Sequence, residues 1–261
     1  MENILERIAE STRARVARAK EEVSAEEMKE KALAMPKRGF EFERALKKDD
    51  IAFICECKKA SPSKGLIAPY FPYLEIAREY ESAGADAVSV LTEPKYFLGS
   101  DDYLREISEA VKIPTLRKDF VVHERMIYEA KLLGASAVLL ICAILDAEKL
   151  RDYIKICDGL GISALVEAHD EAEIEMALTE GARIIGVNNR NLKDFSVDMS
   201  NSARLRKIIP ADVIFVSESG IKTANDVKAA RDSGADAVLV GETLMRSADK
   251  RAMLAELKRL L

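Results

Sequence analysis

The sequence predicts an α/β fold, a closed (β/α)8 TIM barrel with an N-terminal helical extension. From Ile51 onward, eight short apolar runs alternate with segments of helical period, the pattern of a parallel sheet whose strands are joined by crossover helices. Eight such units in about 210 residues suit a closed barrel better than an open sheet. A partial repeat adds to this. GADAVSVL begins at Gly84, GASAVLLI at Gly134, GARIIGVN at Gly181 and GADAVLVG at Gly234, spaced by roughly two βα units. Each glycine falls where a helix must end in a left-handed turn before the next strand. Gly-Ala turns precede strands in any parallel α/β protein, so the repeat supports the class more than the closure.

In chain order, Glu2–Glu22 and Ala25–Leu33 carry charges at i,i+4 spacing and predict two helices, with a further short helix or turn over Phe40–Leu46. Residues 1–48 form the extension. The predicted strands are Ile51–Cys57, Ala87–Leu91, Pro114–Lys118, Ala137–Ile141, Ala164–Val166, Ile184–Asn188, Val213–Ser217 and Ala237–Val240. The helices between and after them are Tyr73–Ala83, Tyr103–Val111, Glu124–Leu133, Ala147–Leu160, Glu171–Glu180, Ser202–Ile208, Thr223–Ser233 and Lys250–Leu261. No Pro/Gly-rich linker divides the chain, so residues 1–261 are read as one domain.

Composition narrows the function classes. Hydrophobic residues make up 48% of the 261, enough for a sizeable core, and the net charge is -5. No basic stripe interleaved with aromatics appears, so nucleic acid is not an expected partner. No apolar run approaches the roughly 18 residues of a membrane span. The N-terminus lacks the apolar core of a secretory signal and carries Glu2, Glu6 and Glu10, which argues against a transit peptide. A cytoplasmic location is expected. Cys55, Cys57, Cys142 and Cys157 sit in apolar patterns and read as small buried hydrophobes. Cys55 and Cys57 lack zinc-knuckle spacing and His123 and His169 lie far apart, so no metal site is expected. No GxGxxG follows a strand, which disfavours a nicotinamide cofactor. The expected state is a monomer, with a weak dimer through exposed helices left open.

In such a barrel the chemistry lies where strands end and βα loops begin. Along the first strand, period-2 alternation puts Ile54, Glu56 and Lys58 on one face and Phe53, Cys55 and Cys57 on the other. Charges on a strand covered on both sides are costly unless paired or used, so Glu56 and Lys58 are either a structural ion pair or part of an active site. The loop Ser61–Gly65 adds hydroxyls, a cation and a flexible backbone suited to an anion, although such loops are also common plain turns. Other strand ends contribute Thr92-Glu93, Lys118, Glu167, Asn188, Glu218 and Gly241. Ser219-Gly220 and Gly241-Glu242 follow strands seven and eight, the usual phosphate position, and Gly241–Met245 reads as a short extra helix. A carboxylate at Glu242 is tolerable there if its side chain points to solvent. Three acids (Glu56, Glu167, Glu218) and two lysines (Lys58, Lys118) sharing one mouth will shift one another's pKa values. No Ser/His or Cys/His pair occurs there. The residues alone support acid–base chemistry on a phosphorylated, partly apolar small molecule.

ECKKASPSKG (Glu56–Gly65), LTEPKYFLGS (Leu91–Ser100), LRKDF (Leu116–Phe120), LVEAHD (Leu165–Asp170), GVNNRNL (Gly186–Leu192), SESGI (Ser217–Ile221) and VGETLM (Val240–Met245) resemble indole-3-glycerol-phosphate synthase, in order and over nearly the whole chain. The resemblance implies ring closure, decarboxylation and dehydration of 1-(2-carboxyphenylamino)-1-deoxyribulose 5-phosphate, with no metal or organic cofactor. It implies that Lys118 is the general acid on the ketone oxygen. Glu167 and Glu56 would carry the later proton transfers, and Lys58 would contact a substrate anion or act in dehydration. Asn188 and Glu218 would position these groups and substrate hydroxyls. Ser61, Ser219, Gly220, Gly241 and the Glu242 backbone would bind phosphate. Phe97, Phe120 and Leu192 would enclose the aromatic ring, with Arg190 nearby. Leu98 and Asn189 stand at positions where the family varies, and Glu242 stands where some members have a small residue. The rivals are phosphoribosylanthranilate isomerase, a barrel expected to use a Cys/Asp pair, and a catalytically inert scaffold barrel. Cys57 facing away from Glu56 and Lys58 counts against the first, and the presence of Lys118 and Glu56 counts against the second.

Overall fold

The computed structural model describes residues 4–191 and 195–261. Three helices come first: α1 (Ile4–Glu22), α2 (Ala25–Ala34) and α3 (Glu41–Leu46). Eight parallel strands then close on themselves: β1 (Ala52–Cys57), β2 (Ala87–Leu91), β3 (Thr115–Lys118), β4 (Ala137–Ile141), β5 (Ser163–Ala168), β6 (Ile184–Asn188), β7 (Ile214–Glu218) and β8 (Ala237–Val240). Each strand pairs with its sequence neighbours, and β1 pairs with both β2 and β8, so the expected closure is present. The outer helices are α4 (Tyr73–Ser82), α5 (Asp101–Ala110), α6 (Arg125–Leu132), α7 (Ala147–Leu160), α8 (Glu171–Thr179), α9 (Ser200–Leu205), α10 (Ala224–Asp232), α11 (Glu242–Arg246) and α12 (Lys250–Leu257).

The alternation read from β1 holds. Phe53, Cys55 and Cys57 pack outward among the helices, whereas Ala52 and Ile54 belong to the barrel interior. All four cysteines are free and buried. The start of the interior is lined by Ala52, Ala87, Ala137 and Ala237, whose small side chains leave room for Phe42 and Leu46 of α3. Those two residues are essentially inaccessible and seal the floor. Burying each stabilises the fold by about 1.5–3 kcal/mol. At the other end α1 brings Leu5 and Ile8 over the interior beside Leu139, Ile141 and Phe120.

Several boundaries differ from the sequence expectation. β5 extends beyond Ala164–Val166 because Ser163 and Glu167, polar by type, are buried and paired in the sheet. The helix expected over Ser202–Ile208 begins at Ser200 and tightens into a 3-10 turn over Arg206–Ile208, ahead of Pro210. The last helix ends at Leu257, short of Leu261. The loop after β1 folds back as a small hairpin, Ala60–Ser61 against Gly65–Leu66, with Gly65 at φ 63° supplying the left-handed turn residue.

Candidate active site

Period two carries Glu56, Lys118, Glu167, Asn188 and Glu218 into the mouth of the barrel, each at or near the end of its strand. They line one cavity of about 630 Å³ together with Lys58, Ser61, Phe97, Phe120, Arg190, Ser219, Gly220, Gly241 and Glu242. All but one of the residues expected at the site therefore share a single space. The exception, Leu192, lies outside the described residues.

Lys118 is the hub. Its Nζ donates to Glu218 Oε2 at 2.5 Å and to Glu167 Oε2 at 3.4 Å. Asn188 Nδ2 donates to Glu167 Oε1 at 3.3 Å. Across the mouth Lys58 Nζ donates to Glu56 Oε2 at 2.5 Å. Burial alone would lower the Lys118 pKa, but Glu218, Glu167 and Glu56 outweigh it and hold the ammonium protonated. Proximity of carboxylates, not apolar walls, therefore sets its state. Burial pushes Glu167 up, yet Lys118, His169 and Asn188 overcome it and hold the carboxyl below the usual range. Burial dominates at Glu218. Lys118 opposes it, but Glu167 and Glu56 add to it, and the carboxyl is displaced upward. Two carboxyls on one lysine are thus driven apart, one toward the anion and one toward the acid, as in a pair with separate acid and base duties. Glu218 Oε1 is buried with no hydrogen-bond partner among the described residues.

Backbone constraints keep this cluster tight. A Cβ on Gly241 would meet Glu56 Oε2 at 2.2 Å, and one on Gly186 would meet Glu218 Oε1 at 2.1 Å. Neither position accepts a side chain without moving a carboxylate. Ser219 and Gly220 both adopt positive φ, 66° and 96°, turning the chain after β7 along the cavity wall.

Other expected residues take supporting positions. The Phe97 and Phe120 rings lie 6.0 Å apart, tilted by 38°. Phe97 is held by Glu93, whose buried carboxylate accepts from the N–H groups of Lys95, Tyr96 and Phe97 at 3.0, 2.6 and 3.0 Å. Glu93, noted in the sequence only as a residue at a strand end, thus orders a loop. Arg190 donates through its backbone to Asn188 Oδ1 and through its guanidinium to the Phe195 carbonyl. Asn189 points away from the cavity to Ser217 and Ser202. Glu242 does not project freely into solvent. Its Oε1 accepts from Arg246 at 3.0 Å and lies 3.8 Å from Lys64, so two cations offset its charge beside Ser219 and Gly220.

Sequence reasoning missed three contributors. Ile4, Leu5 and Ile8 of α1 line the cavity. Asp119, next to Lys118, accepts two bonds from Arg15 of α1, at 2.8 and 2.7 Å, and one from Thr92. Arg117, fully buried on the outer face of β3, pairs with Asp101 and Glu129. The amphipathic pattern of α1 signalled that a face is buried, but not where.

A family model described as indole-3-glycerol phosphate synthase matches residues 5–257. The chain belongs to the indole-3-glycerol phosphate synthase family. It is 58% identical over 256 residues to the indole-3-glycerol phosphate synthase of Ruminiclostridium cellulolyticum, covering 98% of both chains. It is 54% identical to that of Endomicrobium trichonymphae, covering 98% of this chain and 99% of the relative. Among solved structures, 3-hexulose-6-phosphate synthase from Salmonella typhimurium superposes with a TM-score of 0.65 at 15% identity, over 81% of this chain and 98% of that one, a likeness of fold alone. Like the family, the chain is a carboxy-lyase of tryptophan biosynthesis, forming indole-3-glycerol phosphate from the carboxyphenylamino-deoxyribulose phosphate. No helix among the described residues is long and apolar enough to cross a membrane.

Proposed function

We propose that the indole-3-glycerol phosphate synthase reaction runs on the Lys118 cluster, with Lys118 as the general acid of ring closure. The ring carbon bearing the carboxylate attacks the ribulose ketone while Lys118 protonates the ketone oxygen, its charge stabilising the developing alkoxide. Loss of CO2 returns the bonding pair to the ring. The hydroxyl then departs as water, and loss of a proton from the carbon beside nitrogen completes the indole. Glu167 and Glu56 carry the remaining proton transfers. Glu167, held ionised, is suited to act as a base. Lys58, bonded to Glu56, supplies a second cation for the substrate carboxylate or the leaving hydroxyl. Glu218 and Asn188 position Lys118 and Glu167, and Glu218 Oε1 has an acceptor site free for a substrate hydroxyl.

The phosphate sits against Ser61, Ser219, Gly220, Gly241 and the backbone of Glu242, with Lys64 and Arg246 countering the Glu242 carboxylate. Phe97 and Phe120 enclose the aromatic ring, and Arg190 flanks it. The observation that carries this reading is the placement of Lys118 Nζ between Glu218 and Glu167 at the centre of the cavity. These groups supply each proton transfer, so the reading calls on no metal or organic cofactor. It takes the chain as one domain over residues 1–261, acting as a cytoplasmic monomer with no nucleic-acid partner.

The test is indole emission on mixing the chelator-treated protein with the carboxyphenylamino-deoxyribulose phosphate. Growth of emission without added cofactor is expected. A folded protein that binds the substrate and yields no emission overturns the reading in favour of an inert barrel.

A further inference from the structure

The charges at the mouth extend beyond the cavity. His169 follows Glu167 by two residues, just past the end of β5. Its buried Nε2 makes no hydrogen bond among the described residues and lies at ion-pair distance, 3.4 Å, from Glu167 Oε1, the oxygen that accepts from Asn188. On its far side, Nδ1 lies 3.0 Å from Glu173 Oε2, and the His169 backbone N–H donates to that same oxygen at 2.8 Å. Glu173 is fixed in the first turn of α8, where its own N–H donates to the helix cap Asp170 at 2.9 Å. Asn201 donates to the His169 carbonyl at 3.3 Å. The residue is therefore held by α8 at its ring Nδ1 and its backbone N–H, and by α9 at its carbonyl. His169 does not line the cavity that holds Lys118. It lies in a neighbouring polar cavity with Asp170, Glu173, Asp198, Arg190 and Arg204.

We propose that His169, clamped by Glu173, is a positioning residue that aims Glu167 at Lys118 and serves as its second counter-cation. Glu173, His169, Glu167, Lys118 and Glu218 then form a row of alternating charge. With His169 opposite one oxygen and Lys118 opposite the other, Glu167 stays ionised without depending on Lys118 alone. Lys118 can give up its proton to the ketone while Glu167 keeps a cation beside it. The charged groups acting on Glu167 are Lys118 from β3, Glu218 from β7 and His169 just past the end of its own strand. Those acting on His169 are Glu167 and Glu173, which together outweigh burial and raise its pKa to about 10.

The inference rests on the assignment of Glu167 as a proton-transfer group, so Glu167→Gln is the control. The experiment measures kcat and KM from pH 3 to pH 9 for the wild type, H169A, H169Q, E173Q and the double variant H169A/E173Q. Loss of one contact to a charged group predicts a kcat for H169A lower by roughly ten- to a hundredfold, with KM changed less than about threefold. The acid limb of its kcat profile moves toward neutral pH, because Glu167 has lost a cation. H169Q, which keeps an amide near the Nε2 position, recovers part of kcat but not the limb. E173Q shows a smaller loss of the same kind, and the double variant is no worse than H169A, since both act through one ring. If H169A does not fold, H169Q and E173Q carry the same test. An unmoved acid limb in folded variants, or additive losses in the double variant, overturns the proposal while leaving Glu167 in its role. A wild-type rate for E167Q overturns the Glu167 assignment and this proposal with it.

Discussion

At the floor of the barrel the strands begin with Ala52, Ala87, Ala137 and Ala237, and the space they leave is filled by Phe42 and Leu46 of α3. At the mouth the same sheet ends in Glu56, Lys118, Glu167, Asn188 and Glu218, around a cavity of about 630 Å³. Both ends are buried, and both are covered by the N-terminal extension, with α3 below and α1 above. The floor is dry and close-packed, so its residues act through volume. The mouth holds buried carboxylates and lysines that pair with one another, so its residues act through charge. Stability should therefore respond to size at the floor, and turnover to ionisation at the mouth.

The largest departure expected of a shape-conserving substitution is that of Glu167→Gln. It keeps the shape of the side chain and removes the charge. A turnover lower by roughly 10²–10⁴ is expected, the usual worth of a positioned acid–base group, with a thermal midpoint within a few degrees of wild type. A near wild-type rate would break the comparison on the mouth side. Phe42→Ala tests the floor. Removing a buried aromatic costs about 3–5 kcal/mol, which should appear in denaturant unfolding while kcat below the transition stays unchanged. A kcat loss matching that of the mouth variant would show that the two ends are not separable.

Arg15→Ala sharpens the comparison, because Arg15 ties α1 to Asp119, the neighbour of Lys118. Loss of this charge-assisted pair should cost about 1–3 kcal/mol at pH 7 and raise KM, since α1 lines the cavity. Burial raises the Asp119 pKa, but Arg15, Arg117 and Thr92 outweigh it and the carboxyl is depressed in the fold. Its stabilising contribution is present above the unfolded value near pH 4 and is lost as pH falls through the lower folded value. The gap between wild type and Arg15→Ala should stay constant from pH 5 to 8 and close below about pH 4. A gap undiminished from pH 7 down to pH 2 would mean that packing, not charge, anchors α1. The smallest effect is expected for Glu242→Gln. Its carboxylate is partly exposed and already offset by Arg246 and Lys64, so KM should change less than about threefold. A large loss of substrate binding would give that side chain a direct role.

Much of this was legible in the sequence because it is local. The runs at Ala87–Leu91, Ala137–Ile141, Ile184–Asn188 and Ala237–Val240 form strands with the bounds expected, each preceded by a glycine turn. Alternation of period two correctly sent Glu56 inward and Cys57 outward, because pleating fixes side-chain direction once a strand is placed. What escaped depends on docking. Arg15 and Asp119 are separated by 104 residues, and nothing in the pattern of α1 says which strand end it will cover. Glu93 stands at a strand end, and only the loop geometry turns its carboxylate toward three backbone N–H groups. Arg117 sits inside a recognised motif, but its burial follows from its outward direction on β3 and from partners on α5 and α6. The upward displacement of Lys118 required knowing how close three carboxylates come.

The most direct measurement is the single-turnover rate of indole formation by folded Lys118→Ala, with substrate bound at saturation. Placing Lys118 at the centre of the mouth predicts a rate lower by about 10³-fold or more, with the circular dichroism of an intact barrel. A rate within tenfold of wild type would contradict it, and the acid of ring closure would have to be sought elsewhere in the cavity, first at Lys58.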